Sequence, residues 1–360
     1  MDQPVLIDHD SYTGQRGLVF ATASPQDFAE WDAFTASHPH GTLYHQSAWK
    51  RLIEELFGHE CYFLLARRFG QGIAGILPMV RQRSRLFGDY LVSMPYVNFG
   101  GVLADNASVA AALLVEGALH AQRLGCSHLE SRDVIPQPVQ WPCRTDKIVM
   151  QLALPESSEQ LNHQLRTKLR AQIKRPLRSG AIAYVGGGEL LRDFYTVFAV
   201  NMRDLGTPVY SRAFFASIAQ TFAENIHIVI VRVGRRPVAG AFLLRTGTRM
   251  EIPWASSLRA YNHLSVNMML YWEVLKLAIE LDCELFDFGR TTPDSGAHKF
   301  KQQWGAQPRQ LYWHYWLRDG SELPGLNPNN PKYALAIALW QRLPVWVSRI
   351  AGPLIVRNLP

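Results

Sequence analysis

The polar residues best placed for chemistry lie in the second half of the sequence, at the end of an apolar segment. Phe286–Arg290 reads FDFGR, and Phe300–Gly305, which reads FKQQWG, follows after a short gap. A buried charge is costly unless it is paired or used, so Asp287 and Arg290 either form a structural ion pair or act on a substrate. Lys301 lies between aromatic residues beside a glycine, a setting that suits a developing oxyanion or a phosphate. We therefore predict Lys301, Asp287 and Arg290 as catalytic residues, with the structural ion pair as the alternative for Asp287 and Arg290.

Other polar and aromatic residues of the same half precede and follow this strand. They include the segment WASS that begins at Trp254, and a Tyr-Asn pair shortly after it. The residues predicted to bind a substrate here are Phe300, Trp254, Tyr261, Asn262 and Asn267.

A second region of interest is a run of basic residues between the two halves. The stretch 166–178 contains six Lys and Arg residues and no acidic residue. It belongs to a predicted helix that a serine at 157 or 158 caps, and such a run favours phosphate, nucleic acid or lipid headgroups. We predict that Arg166, Arg170 and Lys174 bind a substrate, with a solvated basic face as the alternative.

Several enzyme classes have no support in the sequence. It contains no GxSxG, no HExxH and no carboxylate-rich metal motif, and its four cysteines are too far apart for a disulfide framework or a CxxC site. Gly70 and Gly72 match phosphate-loop patterns, but they fall in a predicted hairpin turn and not ahead of a helix, so we interpret them as turn residues. We expect no metal and no permanently bound cofactor, and a group transfer that depends on positioning.

The elements that would position these residues occur twice along the 360 residues. An offset of 165 carries Trp49 onto Phe214, and an offset of 157 then carries Cys126 onto Cys283. Each half predicts a helix, an antiparallel hairpin, a further strand, a long helix and a strand. We expect an α/β (α+β) fold of two related domains, each a mixed, largely antiparallel sheet flanked by helices. Chance similarity of two amphipathic segments is the alternative.

The predicted domain boundaries follow from this duplication. The first domain covers 18–153, a basic connector helix 154–178, the second domain 179–322, and a Pro- and Asn-rich segment with a C-terminal apolar helix 323–360. Trp beside Arg in 331–356 is typical of a helix at a membrane interface. A helix that docks on the second domain and completes its core is the alternative.

These residues resemble a known family. The WASS segment, the FDFGR strand and FKQQWG look like the second domain of FemAB-type transferases, which have two tandem acetyltransferase (GNAT) domains and add amino acids from aminoacyl-tRNA to peptidoglycan precursors. The resemblance covers roughly residues 25–350. The Asn327–Tyr333 tail is more narrowly similar to FemAB-like proteins that accompany PEP-CTERM/exosortase and exopolysaccharide systems. By this resemblance, Phe300 and Lys301 match a Phe-Lys element whose Lys stabilises the transferring acyl group, and the basic helix lies near the bound precursor.

Two departures from the family leave the acyl donor open. No segment has the heptads of the coiled-coil arm that is proposed to meet tRNA in some members. The pyrophosphate loop of acetyltransferases is also missing from both halves. The donor is therefore acyl-CoA or aminoacyl-tRNA.

The resemblance implies an acyltransferase or aminoacyltransferase that forms an amide on a small-molecule or lipid-linked cell-envelope precursor, either peptidoglycan-like or exopolysaccharide. One alternative is an acyl-CoA-dependent N-acyltransferase that acts on an amino sugar. Another is a non-catalytic protein that binds a glycan or lipid precursor for an export system. The first residues carry acids where an export signal needs bases, so we expect a cytoplasmic protein, with peripheral contact at the inner face of the cytoplasmic membrane if 331–356 is an interfacial helix. The sequence does not determine the oligomeric state.

Overall fold

The computed structural model describes residues 17–84, 88–318, 323–324 and 331–359, without the side chains of 331–333. The residues between 325 and 330, where most of the Pro- and Asn-rich tail falls, lie outside the described residues. The chain forms two compact units. The first unit consists of Met1–Lys147, Gln310–Gly325 and Asn358–Pro360, and the second of Ile148–Arg309 and Leu326–Arg357.

Fifteen strands and eleven α-helices make up the described part of the chain. The strands are β1 Leu18–Thr22, β2 Glu60–Arg68, β3 Gly72–Ser84, β4 Gly88–Val92, β5 Leu103–Ala104, β6 His128–Asp133, β7 Cys143–Arg144, β8 Ile148–Ala153, β9 Ala181–Gly186, β10 Ile226–Val233, β11 Arg236–Thr246, β12 Arg249–Ser257, β13 Leu285–Thr291, β14 Gln307–Gln310 and β15 Tyr312–Leu317. The α-helices are α1 Phe28–Ser37, α2 Ala48–Phe57, α3 Ala107–Arg123, α4 Ser158–Gln164, α5 Thr167–Lys174, α6 Leu191–Leu205, α7 Arg212–Thr221, α8 Val266–Glu280, α9 Gly296–Gln302, α10 Pro331–Gln341 and α11 Val345–Val356. Short 3-10 helices lie at Pro25–Asp27, Leu43–His45, Pro176–Ser179, Gly188–Leu190, Ala223–Asn225 and Arg259–Leu264.

The two sheets have the same layout, which confirms the predicted duplication. The first sheet runs β1-β2-β3-β4-β6-β15-β7, with β5 beside β3, and the second runs β9-β10-β11-β12-β13-β8-β14. The hairpins β2-β3 and β10-β11 are antiparallel, whereas β4-β6 and β12-β13 are parallel. Each unit is thus a mixed α/β sheet flanked by helices, as expected.

Two strands belong to a different sheet from the one predicted by the domain boundaries. β8 falls within the predicted first domain, 18–153, yet it pairs with β13 of the second sheet. β15 falls within the predicted second domain, 179–322, yet it pairs with β6 of the first sheet. Alternating apolar residues predict a strand but do not encode its neighbour, so the boundaries at 153 and 322 differ from the observed units.

The predicted basic connector helix, 154–178, is two short helices that belong to the second unit. α4 ends at Gln164 and α5 begins at Thr167, because Leu165 and Arg166 between them have extended backbones. Ser157 caps α4 by accepting a hydrogen bond from the Gln160 N–H, as predicted. The apolar side of the pair, Leu161, Leu165, Leu169 and Ile173, is buried in the core of the second unit.

The C-terminal region also forms two helices and not one, with the break at Leu343-Pro344. The inner face of α11 docks on the second unit through Ser348, Gly352 and Val356, which are buried. A side chain at 352 would meet the Val209 backbone at 2.8 Å, so close packing requires glycine there. Among the described residues, none of the helices combines the length and the hydropathy needed to cross a bilayer.

The exchange of β8 and β15 generates a prediction for local stability. Met150 on β8 is fully buried in the second core, and Trp316 on β15 is buried in the first core. We expect Met150→Ala to cost about 2–5 kcal/mol of stability and to speed amide exchange in β10–β13. Trp316→Ala should speed exchange in β2–β6 instead. Amide hydrogen exchange measured by mass spectrometry checks this. Faster exchange in the first sheet for Met150→Ala, or in the second sheet for Trp316→Ala, would contradict the observed placement of β8 and β15.

Candidate active site

The two parallel strands of the second sheet separate after only three residue pairs. β12 and β13 pair from Arg249↔Leu285 to Glu251↔Asp287. Both strands then continue, to Ser257 and to Thr291, without pairing with each other. A parallel pair that opens in this way leaves backbone N–H and C=O groups available for a ligand.

A bulge in β13 marks the point where the strands separate. The register against β8 shifts between Asp287 and Arg290, and Gly289 within the bulge has φ 75°. Only glycine adopts this backbone conformation at little cost. The bulge turns the carbonyl groups of Gly289 and Arg290 towards helix α9, where both accept hydrogen bonds from Lys301.

Asp287 is a buried carboxylate at the start of this bulge. It is 6% exposed and accepts hydrogen bonds from Gln151 Nε2 at 3.0 Å and from the Gly289 N–H at 2.7 Å. Burial raises the pKa of Asp287, while these hydrogen bonds and the charge of Lys301 oppose the rise. Gln151 lies on β8, so the exchanged strand helps to hold the carboxylate.

Lys301 on α9 faces the same bulge. It is 8% exposed, and its Nζ donates to the carbonyl oxygens of Gly289 at 2.9 Å and Arg290 at 3.0 Å. Burial lowers the pKa of Lys301 to about 8, and the charges of Asp287 and Glu251 partly offset this shift. An ammonium group has three N–H donors, so the two carbonyls leave one for another partner. Lys301 thus lies on a helix, with its side chain buried against the bulge.

Helix α9 also carries a buried histidine that the sequence analysis missed. His298 is 9% exposed; its Nδ1 accepts from the Asp294 N–H at 2.9 Å, so a neutral ring carries its proton on Nε2. That Nε2 is buried without a hydrogen-bond partner in the described part of the chain. His298 precedes Lys301 by one helical turn, so both lie on the buried face of α9. In the sequence, its spacing of three residues from Lys301 is the feature that could have indicated a role for His298.

The third predicted catalytic residue, Arg290, has a different role in the structure. Its side chain is exposed, and its carbonyl oxygen is one of the two acceptors for Lys301. The hydrogen-bond donors to Asp287 are Gln151 and Gly289.

The predicted substrate-binding residues of this half lie at several places. Phe300 packs edge-on against Tyr271, with 4.8 Å between ring centroids. Trp254 is buried in an aromatic cluster with Phe215, at 5.2 Å, so it serves the core. Tyr261, Asn262 and Asn267 lie at or after the 3-10 helix that precedes α8, where Tyr261 stacks under Arg236, Asn262 is exposed and Asn267 is half-buried.

The basic helix α5 borders a separate cavity of about 280 Å³ in the second unit. Arg170 and Lys174 line it, together with Trp272 and two acids, Glu159 and Glu273. Arg166 is exposed at the start of α5 and does not line this cavity. The structure thus brings together two of the three predicted basic residues.

The corresponding opening in the first sheet is closed by the chain itself. β4 and β6 pair over two residues, and the segment after β4 then bonds along β6. The Ser93 N–H donates to the Glu130 carbonyl at 2.8 Å, Ser93 Oγ accepts from the Arg132 N–H at 2.8 Å, and the Gly100 N–H donates to the Arg132 carbonyl at 3.2 Å. The segment after β4 thus bonds along β6 in the first sheet, whereas β12 and β13 of the second sheet separate after Glu251 and Asp287.

The glycines at 70 and 72 are turn residues, as predicted. Both have positive φ, 74° and 87°; Gly70 lies in the turn between β2 and β3, and Gly72 is the first residue of β3. Arg67, the basic residue of the phosphate-loop pattern, pairs with Asp27 at 2.7 Å and with Glu30. In the described residues, His, Cys, Asp and Glu form no cluster that could hold a metal ion.

Comparisons with known proteins agree with this architecture. Residues 163–302 match the family model described as acetyltransferase (GNAT) domain. FemX, in its crystal structure, superposes with a TM-score of 0.63 at 14% identity, over 89% of this chain and 100% of that chain. The chain has a tandem GNAT fold like that of FemX.

Two further structures share the tandem GNAT fold. The C-terminal domain of a putative lysylphosphatidylglycerol synthetase from Agrobacterium fabrum has a TM-score of 0.56 at 12% identity, over 87% of this chain and 95% of that one. L-PGS from Bacillus licheniformis has a TM-score of 0.54 at 14% identity, over 94% of this chain and 99% of that one. No curated protein matches the chain in sequence. At these identities the likeness establishes the fold.

The proximity of Asp287 and Lys301 predicts a coupled titration. Asp287→Asn should lower the pKa of Lys301 below about 8, because the carboxylate is the largest contributor that favours the charged amine. NMR titration of lysine side-chain signals measures this. Glu273→Gln, which removes the acid 3.0 Å from Lys276, is the matched control and should leave the Lys301 titration unchanged. An unchanged Lys301 pKa in Asp287→Asn would show that the two groups do not interact.

Proposed function

We propose that this protein transfers an acyl or aminoacyl group to an amine and forms an amide on a cell-envelope precursor. The observation that carries the proposal is the buried Lys301, held beside Asp287 where β12 and β13 separate. A GNAT domain match over 163–302 supports a transferase. The FemX and lysylphosphatidylglycerol synthetase folds support an envelope substrate.

The strand opening suits an extended acyl donor. Unpaired N–H and C=O groups along β12 can bond an elongated chain as a further strand would, and such a chain would place its reactive carbonyl near the bulge. The first sheet offers no equivalent edge, since residues 93–100 bond there. We therefore assign transfer to the second unit.

Lys301 would stabilise the charge that develops on the acyl carbonyl. The acceptor nitrogen attacks the carbonyl carbon, a C–N bond forms, and the C–S bond of a thioester or the C–O bond of an ester breaks. The charged Nζ, fixed by the Gly289 and Arg290 carbonyls, has one N–H left for the oxyanion. The amine proton leaves through the substrate's own groups and ends on the released thiol or hydroxyl.

The proposed donor is an activated acyl ester or an acyl thioester. Aminoacyl-tRNA gives an aminoacyltransferase, and acyl-CoA gives an N-acyltransferase on an amino sugar. The protein would bind a soluble precursor in the cytoplasm, or a lipid-linked precursor at the inner face of the cytoplasmic membrane. The link to PEP-CTERM and exopolysaccharide systems stays a prediction. A protein that consumes neither donor would instead be a glycan- or lipid-precursor-binding protein.

Removal of Lys301 alone would be hard to interpret. Lys301→Ala would leave the Gly289 and Arg290 carbonyls without their donor, and a buried polar group without a partner costs about 1–3 kcal/mol. The double variant Asp287→Asn/Lys301→Met removes both charges and keeps similar volumes. We expect it to fold and to lose transfer by on the order of 100- to 1,000-fold in kcat, with little change in KM.

Amide products are measured by mass spectrometry with acyl-CoA and with aminoacyl-tRNA as separate donors, against amine-bearing envelope precursors. Lys299→Met, on the exposed side of the same helix, is the matched control and should keep full activity. Wild-type rates in the double variant would remove Lys301 from the mechanism.

The α5 cavity predicts a site for the phosphate of the precursor. Replacing Arg170 and Lys174 by Gln should weaken inorganic pyrophosphate binding about 10-fold at low salt, the loss of one or two screened charge contacts. The matched control replaces Lys168 and Arg175, which are exposed and do not line the cavity. Isothermal titration calorimetry at two salt concentrations measures both. If the Arg170 and Lys174 variant binds pyrophosphate as tightly as the wild type, the basic residues form a solvated face and not a binding site.

A further inference from the structure

The two C-terminal helices expose an unusual number of large apolar side chains. On α11, Trp346, Ile350 and Leu354 are 66%, 66% and 63% exposed. On α10, Leu335 and Leu339 are 68% and 57% exposed. Spacings of four residues place each set along one side of its helix. We call these five residues the outer stripe.

The inner side of α11 is fixed to the second unit. Ser348, Gly352 and Val356 are buried, and they are offset by two residues, or about 200° around the helix, from the exposed set. Arg349 stacks over the Tyr195 ring at 5.3 Å. The helix is therefore docked, and the exposure of the outer stripe is not the fraying of a loose terminus.

The charged residues of the C-terminal segment itself are all of one sign. Residues 331–360 include four cations and no acid. Arg342, between the helices, and Arg357, after α11, have exposed side chains. An apolar stripe with a Trp, flanked by Arg and free of acids, is the composition of a segment that lies in the interface of an anionic bilayer. A protein partner would not require the absence of every acid.

We propose that the outer stripe of α10 and α11 docks the protein on an anionic membrane surface. With 11 and 12 residues, the helices would lie in the interface plane, and the apolar side chains would enter the acyl boundary while Arg342 and Arg357 meet lipid phosphates. The proposal stands apart from the transfer chemistry, since none of these residues belongs to the Lys301 site. It gives the active unit access to lipid-linked molecules.

The test is vesicle sedimentation with the full chain. We expect binding to vesicles of phosphatidylcholine with 30% phosphatidylglycerol, and at least 10-fold weaker binding to pure phosphatidylcholine. The triple variant Trp346→Ser/Ile350→Ser/Leu354→Ser should lose at least 10-fold in partition coefficient. Arg342→Gln/Arg357→Gln should remove the preference for the anionic lipid. Circular dichroism and thermal melting verify that the variants fold.

A matched control replaces two exposed apolar residues of the first unit, Val19 and Phe69, which are 59% and 89% exposed. This variant should bind vesicles like the wild type. Absence of vesicle binding by the wild type, or equal binding by the triple variant, would overturn the proposal. So would a concentration-dependent dimer in sedimentation velocity that the triple variant abolishes, because a second copy would then cover the stripe. Transfer to a soluble acceptor should persist in the triple variant, so failure of either proposal is recognisable separately.

Discussion

The buried contact between Lys301 and the bulge of β13 is the interaction on which the account of this protein depends. A lysine and a carboxylate that are both nearly inaccessible lose much of their hydration, and only close partners offset that loss. Gly289 permits the bulge, the bulge supplies two carbonyls, and Gln151 from β8 holds Asp287. Each of these elements serves to keep one amine at one place.

The duplication explains why this arrangement occurs in only one of the two sheets. Both sheets have a parallel pair that separates after two or three residues. In the first sheet the chain after β4 fills the opening with its own hydrogen bonds, and Glu130, at the position of Asp287, pairs with Arg132. In the second sheet β12 and β13 do not pair with each other beyond Glu251 and Asp287. The two copies of the fold thus differ at this edge because residues 93–100 bond along β6 in the first sheet.

The sequence predicted the elements far better than their partners. Apolar periodicity and the 165-residue offset gave the repeated helix, hairpin and strand order, because both patterns are local. The exchange of β8 and β15 was missed, since neither strand carries a residue that selects its neighbour. The breaks at Leu165-Arg166 and Leu343-Pro344 were also missed, because continuous apolar spacing hides a short extended link.

The same distinction applies to the site. Asp287 and Lys301 were identified from their types and neighbours, and in the structure both bond Gly289 of the β13 bulge. Trp254 was predicted to bind a substrate because it lies beside polar residues in the sequence, and in the structure it packs against Phe215. Gln151 could not be found, since its role depends on the strand exchange. His298 was missed although it precedes Lys301 by one helical turn, because the sequence does not show that its Nε2 is buried without a partner among the described residues.

The central claim is that an acyl donor occupies the opening between β12 and β13 in the second unit. Amide hydrogen exchange in the presence of an acyl-CoA, and separately of an aminoacylated tRNA, tests it most directly. The account predicts that one of the two donors slows exchange in residues 252–257 and 287–291 and leaves 93–102 and 128–133 unchanged. Slower exchange confined to the first unit, or no change with either donor, would contradict it.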